Sequence, residues 1–303
     1  MPIIHYIPDD VEIEVEAGTT ILQASWQSNI PHTHVCGGNA RCSTCRVMII
    51  EGKDHCQPRN REEGLLARRL SFTPDIRLAC QTQVTGDVTI RRLVLDQEDI
   101  DLVAQPEHGT REDHIGAERK VAILFSDIRN FTTFAEVVPA YDVIHILNRY
   151  FYEMDHLVQA YGGYVDNHIG DGIMALFGVE GEPDAALNAV QAGLAMLEAV
   201  ERFRPYVQVM YPWDFQIGIG VHYGEVVIGT LGAINKKMTA IGDSVNFASR
   251  IESATKDTGV HFLISEDTYY EIKDKALEVE RVRLRLKGKR GEHALYAVKQ
   301  LRD

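Results

Sequence analysis

Short apolar runs separated by polar turns characterise roughly the first 95 residues. Residues 3–7 and 11–15 are rich in β-branched side chains and flank a polar turn, which predicts a hairpin. Thr19 can cap a helix that runs to about residue 29. Further strand patterns fall at residues 45–50, 76–84 and 88–93. This order predicts a small mixed sheet that grips one helix.

From about residue 118 the apolar positions follow longer, helical periods that alternate with strands. Residues 142–160 and 183–204 repeat apolar side chains at helical spacing, and a pair of strands lies between them. The remaining elements are strands at residues 215–221 and 225–230, an exposed hairpin arm at 232–238 and a helix from about residue 242 that Asp243 or Ser244 can cap. The order β-α-β-β-α-β predicts helices on one face of an antiparallel sheet.

Length and composition are those of a globular protein with about two domains, since 303 residues exceed one typical domain. The net charge of −13 argues against a nucleic-acid-binding surface. No apolar stretch approaches the roughly 20 residues that span a bilayer, and the N-terminus lacks a signal-peptide pattern. We therefore expect a cytoplasmic protein with no membrane contact. An acidic and then polar stretch predicts a linker at residues 96–117, with a short helix near its start.

Two carboxylates stand at the ends of apolar runs in the second half of the chain. Asp127 follows the run 121–126, and Asp171 with Gly172 hinges two short runs as a hairpin. If these strands are neighbours in one sheet, both carboxylates emerge at the same edge. Burying such a pair without a partner is costly, so the pattern indicates Mg²⁺ or Mn²⁺, with substrate phosphates completing the shell.

All five cysteines lie in the first 80 residues, and an odd, clustered set favours metal ligation over disulfides. Cys36, Cys42 and Cys45 share a Gly-rich loop, and Cys80 comes from a distant strand. The spacing C-x5-C-x2-C…C resembles the [2Fe–2S] ferredoxins of the adrenodoxin type. The resemblance implies a [2Fe–2S] cluster held by these four thiols. Cys56 has no place in the pattern and is expected to be a spare thiol, a redox role being the second interpretation.

Two other metal centres compete with this interpretation. A structural zinc site usually pairs two C-x2-C knuckles, and only one is present, so zinc stays as the weaker alternative. A Rieske centre replaces two cysteines with histidines. Although His32 and His34 lie near the loop, no cysteine is missing.

Five motifs follow in order through the second half of the chain. They read FSDIRNFT (125–132), IGDGIMA (169–175), GIGVHYGEV (218–226), IGDSVNFASR (241–250) and KGK (287–289). Together they resemble the class III nucleotidyl cyclase catalytic domain; the Gly-Gly-Asp-Glu-Phe signature of diguanylate cyclases is absent. The resemblance implies an α+β chain with a β-grasp ferredoxin domain (1–95), a linker or signalling segment (96–117) and a cyclase domain with a ferredoxin-like βαββαβ core (118–303).

The same resemblance implies cyclisation of a nucleoside triphosphate, in which the ribose 3′-oxygen attacks the α-phosphorus and pyrophosphate leaves. Asp127, Asp171 and the carbonyl of Ile128 would hold two Mg²⁺ or Mn²⁺ ions, which lower the cost of the attacking and leaving oxygens. Backbone N–H groups of Arg129 to Thr133, a range that includes Phe131 and Thr132 and begins a helix, suit the β- and γ-phosphates.

Three further roles implied by the family fall in the last 60 residues. Lys287 corresponds to the triphosphate lysine, with Lys289 as its neighbour. Asn246 would orient the ribose, and Arg250 would stabilise charge on the α-phosphoryl group; the two lie on one helix face. Because the family takes these two residues and the base-reading residues from one protomer and the metal aspartates from the other, a homodimer with composite sites is expected.

The two positions that read the base depart from the family's patterns. Asn167 stands where adenine-selective members carry lysine, and Thr239 matches the branch that carries threonine. The Thr239 hydroxyl can accept from the adenine amine, and the Asn167 amide can donate to adenine or accept from guanine. The sequence therefore favours ATP, with a guanylyl or dual-specificity cyclase as the alternative.

Several roles remain open for the N-terminal domain. The leading hypothesis is that this domain reports redox state or cluster integrity to the cyclase through residues 96–118, with an electron-donor protein as a further partner. The alternatives are a purely structural cluster, and an electron-transfer ferredoxin joined to a catalytically inactive nucleotide-binding domain.

Overall fold

The computed structural model describes residues 1–7, 9–93, 117–231 and 237–302. The chain divides into two compact units, Met1–Gly116 and Ala117–Asp303, each with its own apolar core. The linker predicted at residues 96–117 lies outside the described residues except for its last position, so its boundaries and its short helix stay predictions. No helix of the described part combines the length and hydropathy that a membrane span needs.

The N-terminal unit is a five-stranded sheet in the order β2-β1-β5-β3-β4. Its edge hairpin is antiparallel, whereas β1 and β5 run parallel. Helix α1 buries Ile21, Leu22 and Ala24 against the sheet, so the predicted mixed sheet gripping a helix is confirmed. The elements are β1 Ile3–Ile7, β2 Val11–Glu14, α1 Ile21–Gln27, β3 Arg46–Glu51, α2 Arg61–Arg69, β4 Ile76–Leu78 and β5 Val88–Arg92.

Two local predictions for this unit were wrong, and one helix was not predicted. Thr20, not Thr19, caps α1, and its hydroxyl accepts from the N–H of Gln23 in a reciprocal capping box. The strand predicted at residues 76–84 ends at Leu78, because the Leu78 carbonyl accepts turn hydrogen bonds from the two residues that follow Cys80. Helix α2 escaped prediction because it is mostly charged and buries only Glu63 and Ala67.

The C-terminal unit is built on β6 Ala117–Ile128, β7 Gly163–Ile169, β8 Gly172–Phe177 and β9 Ile217–Leu231, in the spatial order β9-β6-β8-β7. Helices α4 and α5 connect them, which gives the predicted βαββαβ core. Three strands extend the sheet beyond β9, the first of them parallel to β9, and β10 pairs with the outer part of β9. The other elements are α3 Phe131–Val137, α4 Ala140–Ala160, α5 Ala185–Met210, β10 Lys237–Ile241, α6 Asp243–Thr258, β11 Phe262–Ser265, α7 Glu266–Ile272, β12 Ala276–Leu284 and β13 His293–Leu301.

Alternate residues of β6 supply two cores on opposite faces of the sheet. Ala122 and Leu124 pack with α4 and α5, whereas Val121 and Ile123 pack with Ala248 of α6. The predicted placement of the core helices on one face is therefore right for α4 and α5, whereas α6, which follows the βαββαβ core, packs on the other face.

Three boundaries in this unit differ from the predictions. Residues 217–231 form one strand instead of two. Helix α5 continues past Pro205, and the buried Val207 holds its last turn against the core. Neither Asp243 nor Ser244 caps α6: Gly242 is the N-cap residue, and the Ser244 hydroxyl donates to the Glu225 carbonyl. Residues 232–236 of the predicted hairpin arm lie outside the described residues.

Candidate functional site

Asp127 and Asp171 meet at one edge of the C-terminal sheet. Asp127 is the penultimate residue of β6, and Asp171 occupies the turn between β7 and β8. Strands β6 and β8 are antiparallel with Ser126 opposite Ile173, so this turn lies beside the end of β6. Oδ2 of Asp171 accepts from the Ile128 backbone N–H at 3.3 Å. The predicted juxtaposition of the two carboxylates is what the backbone produces.

Gly172 permits this close approach. A Cβ atom at this position would lie 3.0 Å from the Ser126 carbonyl oxygen and 3.4 Å from Oδ1 of Asp127. A larger residue would push the β7–β8 turn away from β6. The Asp-Gly pair is therefore required by the packing of the two carboxylates as well as by the turn.

Burial and mutual repulsion dominate the electrostatics of the pair. Burial, followed by the charge of Asp127, raises the pKa of Asp171 to about 6. The ammonium group of Lys256 lies 2.6 Å from Oδ2 of Asp127. Nearby, burial and the charge of Asp127 raise the pKa of Glu252 to about 7, and Glu252 Oε1 lies 3.5 Å from the Arg129 guanidinium. The edge thus carries excess negative charge that a cation would stabilise.

This donor set fits a divalent cation of the Mg²⁺ type. Mg²⁺ is usually bound by one or two carboxylates together with substrate phosphates and waters. The described residues contain no group of three or more His, Cys, Asp or Glu side chains gathered as a closed protein cage for one ion. The two adjacent carboxylates fit the protein's share of an open site of this kind, and the Ile128 carbonyl stays a predicted third ligand.

Helix α3 begins three residues after Ile128, the last residue of β6, and has Phe131 and Thr132 in its first turn. Asn130 precedes it in a left-handed conformation and makes no side-chain cap hydrogen bond, so the first N–H groups have no intrahelical or Asn130 acceptor. The prediction included the N–H of Arg129, but this group already donates to the Gln216 carbonyl at 2.8 Å. The phosphate-binding interpretation accordingly rests on residues from 131 onward.

The two base-reading positions lie on β7 and β10, away from the turn that carries Asp171. Asn167 is exposed on β7 and Thr239 is half-buried on β10. The Thr239 hydroxyl donates to Oδ2 of Asp166 at 3.0 Å. Asp166 is only 4% exposed and had no role in the sequence prediction.

The remaining predicted residues do not contact the carboxylates of Asp127 and Asp171 within one chain. Asn246 and Arg250 are exposed on one face of α6, and Lys287 is exposed in the turn between β12 and β13. Among the described residues, no hydrogen bond or ion pair links these three side chains to Asp127 or Asp171. Lys289 is instead paired with Asp243. One chain therefore presents two separate halves of the predicted constellation.

In the N-terminal unit the four predicted cysteines form two sulfur pairs. Cys45 Sγ donates to Cys80 Sγ at 3.4 Å. Cys36 and Cys42 are hydrogen-bonded to each other, which lowers the pKa of Cys36 to about 4. Because a [2Fe–2S] cluster takes two protein ligands on each iron, paired thiols are the arrangement that it needs.

The loop around these sulfurs supplies hydrogen-bond donors. The backbone N–H groups of residues 39, 41 and 42 help to lower the pKa of Cys36, and the Gln81 amide donates to Cys80 Sγ at 3.4 Å. Gly37 and Gly38 reach positive φ values of 68° and 89°, which lets the backbone wrap the sulfurs. Donors of this kind stabilise thiolates and bridging sulfides. The four cysteines and their donors therefore fit a [2Fe–2S] cluster. Cys56 is half-buried, and burial raises its pKa.

Sequence reasoning missed Asp166, Glu252 and Lys256. Asp166 precedes the predicted base-reading residue Asn167, so the sequence already showed an acidic residue next to the predicted nucleotide-binding position. Glu252 and Lys256 follow Arg250 by two and six positions on the same helix, at a spacing that turns them toward β6. Their partners are far away in sequence and only the fold identifies them.

Models of two protein families match the chain. The adenylate and guanylate cyclase catalytic domain matches residues 115–300, and the 2Fe-2S iron-sulfur cluster binding domain matches residues 4–85. The chain is 35% identical over 189 residues to an adenylate cyclase of Anabaena cylindrica, covering 60% of this chain and 37% of the relative. It is 32% identical over 182 residues to retinal guanylyl cyclase 2 of Mus musculus, covering 59% of this chain and 16% of the relative.

Solved structures give the same family likeness. The crystal structure of the guanylyl cyclase Cya2 matches with a TM-score of 0.58 and 32% identity, over 61% of this chain and 94% of that chain. The relatives thus include both adenylate and guanylate cyclases, and the match spans only a minor part of the two curated relatives. With an N-terminal [2Fe–2S] domain attached, the chain belongs to the family of adenylate and guanylate cyclase catalytic domains.

Proposed function

We propose that the chain is an adenylyl cyclase that converts ATP to 3′,5′-cyclic AMP and pyrophosphate. The observation that carries the proposal is the placement of Asp127 and Asp171 at one sheet edge, beside the first turn of α3. An open carboxylate pair next to free backbone donors suits a metal-bound triphosphate.

The reaction forms a bond between the ribose 3′-oxygen and the α-phosphorus and breaks the bond from that phosphorus to the bridging oxygen, which leaves with pyrophosphate. The proton of the 3′-hydroxyl is released to water. When bound, two divalent cations would activate the attacking oxygen and neutralise the leaving pyrophosphate. Asp127, Asp171 and the Ile128 carbonyl would hold them. Phe131 and Thr132 would position the terminal phosphates through their backbone, and Lys287 of a second copy of the chain would add a positive charge there.

A homodimer completes the site in this proposal. Asn246 and Arg250 are exposed on α6 and have no bond to the carboxylate pair of their own chain. Facing the metal edge of a second copy, Asn246 would orient the ribose and Arg250 would stabilise charge that develops on the α-phosphoryl group. Two equivalent sites would result from the two-fold symmetry.

ATP is the proposed substrate because Thr239 offers a hydroxyl oxygen to the adenine amine and Asn167 can donate to the ring. The alternative is a guanylyl or dual-specificity cyclase, since Asn167 can also accept from guanine. Purified protein is incubated with ATP or GTP and Mn²⁺, and the cyclic products are separated by chromatography. Cyclic AMP as the main product supports the proposal, and cyclic GMP as the main product favours the alternative. If no cyclic nucleotide forms from either substrate, cyclase activity is rejected.

We also propose that the [2Fe–2S] domain regulates the cyclase through its redox state. Plant-type clusters have potentials near about −400 mV, so a similar cluster would stay oxidised at cytosolic glutathione poise and need a strong reductant. Cyclase rates of dithionite-reduced and air-oxidised enzyme are compared. A Cys80→Ser variant treated with dithionite is the control for effects of the reductant itself. Equal rates in both states would remove redox sensing.

The competing role for the cluster is structural support alone. Cluster-free protein that stays folded and dimeric would argue against it. Cluster-free protein that unfolds would argue for it, provided that the reduced and oxidised holoenzymes also have equal rates.

A further inference from the structure

Asp166 occupies an unusual position on β7. The pairing of β7 with β8 passes from Val165 opposite Ala175 to Asn167 opposite Met174, so Asp166 is an extra residue at a bulge. Bulges re-aim side chains and are frequent beside active sites. Here the bulge places a carboxylate that is 4% exposed directly beside the base-reading position Asn167.

The two oxygens of this carboxylate differ within the part of the chain that the structure describes. Oδ2 of Asp166 accepts from the Thr239 hydroxyl at 3.0 Å, whereas Oδ1 is buried and has no hydrogen-bond partner among the described residues. An unsatisfied buried carboxylate oxygen is costly, and such an atom in a folded protein calls for a donor. A ligand that brings an N–H group to this position would remove the cost.

The bond to Asp166 also fixes what Thr239 can do. A hydroxyl has one hydrogen to donate and two lone pairs that accept. Because the hydrogen is directed at Asp166, only the lone pairs of Thr239 remain for a ligand. Thr239 and Asp166 together therefore present acceptors and no donor.

The two purines differ at the corresponding edge. Adenine carries a 6-amino group with two N–H donors on one nitrogen, whereas guanine carries the acceptor O6 at that position. Two neighbouring acceptors can each take one hydrogen of the adenine amine. With guanine, O6 would face at least one acceptor of like partial charge, and that acceptor would be left unpaired.

We propose that Asp166 is a purine-selecting residue, which holds the Thr239 hydroxyl as an acceptor and offers Oδ1 as a second acceptor to the adenine 6-amino group. This inference rests on the proposed cyclase function and assigns its base selectivity to a residue outside the family's two base-reading positions. Selectivity for ATP then survives the absence of lysine at position 167.

The test compares wild type with Asp166→Asn and Thr239→Val. In Asp166→Asn an amide can donate to Thr239, which frees the Thr239 hydrogen to meet guanine O6. We expect the ratio of kcat/KM for ATP over GTP to fall tenfold or more in either variant, and the double variant to lose little beyond the larger single loss. Asp155→Asn, which removes an ion pair with His168 on the neighbouring surface, is the matched control and should keep the wild-type ratio.

Equilibrium binding of 3′-deoxy-ATP and 3′-deoxy-GTP, which lack the attacking hydroxyl, gives a readout without turnover. The same loss of preference in both variants supports the inference.

An unchanged ratio in Asp166→Asn or in Thr239→Val, or a wild-type preference for GTP, would overturn the inference and leave the proposed cyclase activity intact. If the wild type cyclises neither nucleotide, the proposed function fails, and the binding ratio still decides the role of Asp166. Thermal unfolding confirms that each variant is folded. If Asp166→Asn does not fold, Thr239→Val still tests the inference.

Discussion

The ammonium group of Lys256 lies 2.6 Å from Oδ2 of Asp127, so that a side chain of α6 neutralises a carboxylate of the proposed metal site from within the same chain. Both groups are partly exposed, with 49% of the lysine and 28% of the aspartate side chain accessible. A metal ion that binds Asp127 must compete with this pair.

Replacing Lys256 with methionine should therefore strengthen Mn²⁺ binding. A partly exposed ion pair is worth about 1 kcal/mol or less, which corresponds to a decrease in the Mn²⁺ dissociation constant of up to about fivefold. Electron paramagnetic resonance of free Mn²⁺ measures the affinity without turnover. Lys120→Met, which removes a similarly exposed pair with Glu271, is the control and should leave the affinity unchanged. Weaker Mn²⁺ binding in Lys256→Met would show that the lysine supports the metal site.

A buried ion pair stabilises the N-terminal unit. The Arg77 guanidinium makes two bonds to Glu63, at 2.8 and 2.9 Å, and the Glu63 carboxylate also accepts from the Leu78 backbone. Glu63→Gln leaves a buried guanidinium without its counter-charge and should cost about 3–5 kcal/mol. Visible circular dichroism of the cluster during urea unfolding reports on this unit. Asp75→Asn, which breaks an exposed pair with Lys53, should cost less than about 1 kcal/mol; a similar loss in both variants would contradict the argument.

The Gln81 amide should raise the reduction potential of the cluster. It donates to Cys80 Sγ at 3.4 Å, and hydrogen bonds to cluster sulfurs stabilise the more negative, reduced state. In Gln81→Leu the potential should become more negative in a redox titration followed by electron paramagnetic resonance. Gln27→Leu, at the exposed end of α1, should leave it unchanged. A potential that moves in the positive direction in Gln81→Leu would refute this role.

His222 should make the C-terminal unit less stable in acid. Burial lowers its pKa to about 4 from an ordinary value of 6.5, and its Nδ1 lies 2.8 Å from the Ser265 hydroxyl. The unfolded chain binds the proton more readily than the folded one, so this contribution to stability is complete above pH 6.5 and is lost as the pH falls toward 4. At pH 5 the loss is on the order of 2 kcal/mol.

Urea unfolding at pH 7.5 and pH 5 measures this effect. A Trp26→Phe background leaves Trp213, in the same unit as His222, as the only tryptophan. The free energy of unfolding of the wild type should fall more between the two pH values than that of His222→Asn, because asparagine at position 222 does not titrate. The comparison is needed because the raised pKa of Asp171 acts in the opposite direction over the same range. Equal losses would exclude His222 as the cause.

Local patterns were sufficient to predict the main features of both units. The alternation of apolar residues in β6 and the Asp-Gly turn defined two strands and the edge where their carboxylates meet. Cysteine spacing alone identified the four thiols that the fold arranges in two pairs. These features are encoded by residues close together in sequence or by a strict period.

Features that depend on distant partners were not predicted. The continuous strand Ile217–Leu231 spans a segment that local pattern divides in two, because its pairing with β6 along the whole length overrides the break. Helix α5 passes Pro205 because tertiary packing of its last turns outweighs the local cost of proline. Asp166 and Lys256 acquire their significance only through Thr239 and Asp127, 73 and 129 positions away.

The central claim is that each active site combines the carboxylate pair of one chain with Asn246 and Arg250 of another. Asp127→Asn and Arg250→Ala are prepared separately, and each should be nearly inactive. When the two are mixed in equal amounts and allowed to exchange subunits, half of the dimers should be mixed, each with one intact site, so about a quarter of wild-type cyclase activity should return. Persistent inactivity of the mixture, with mixed dimers present, or full activity of either variant alone would contradict the claim.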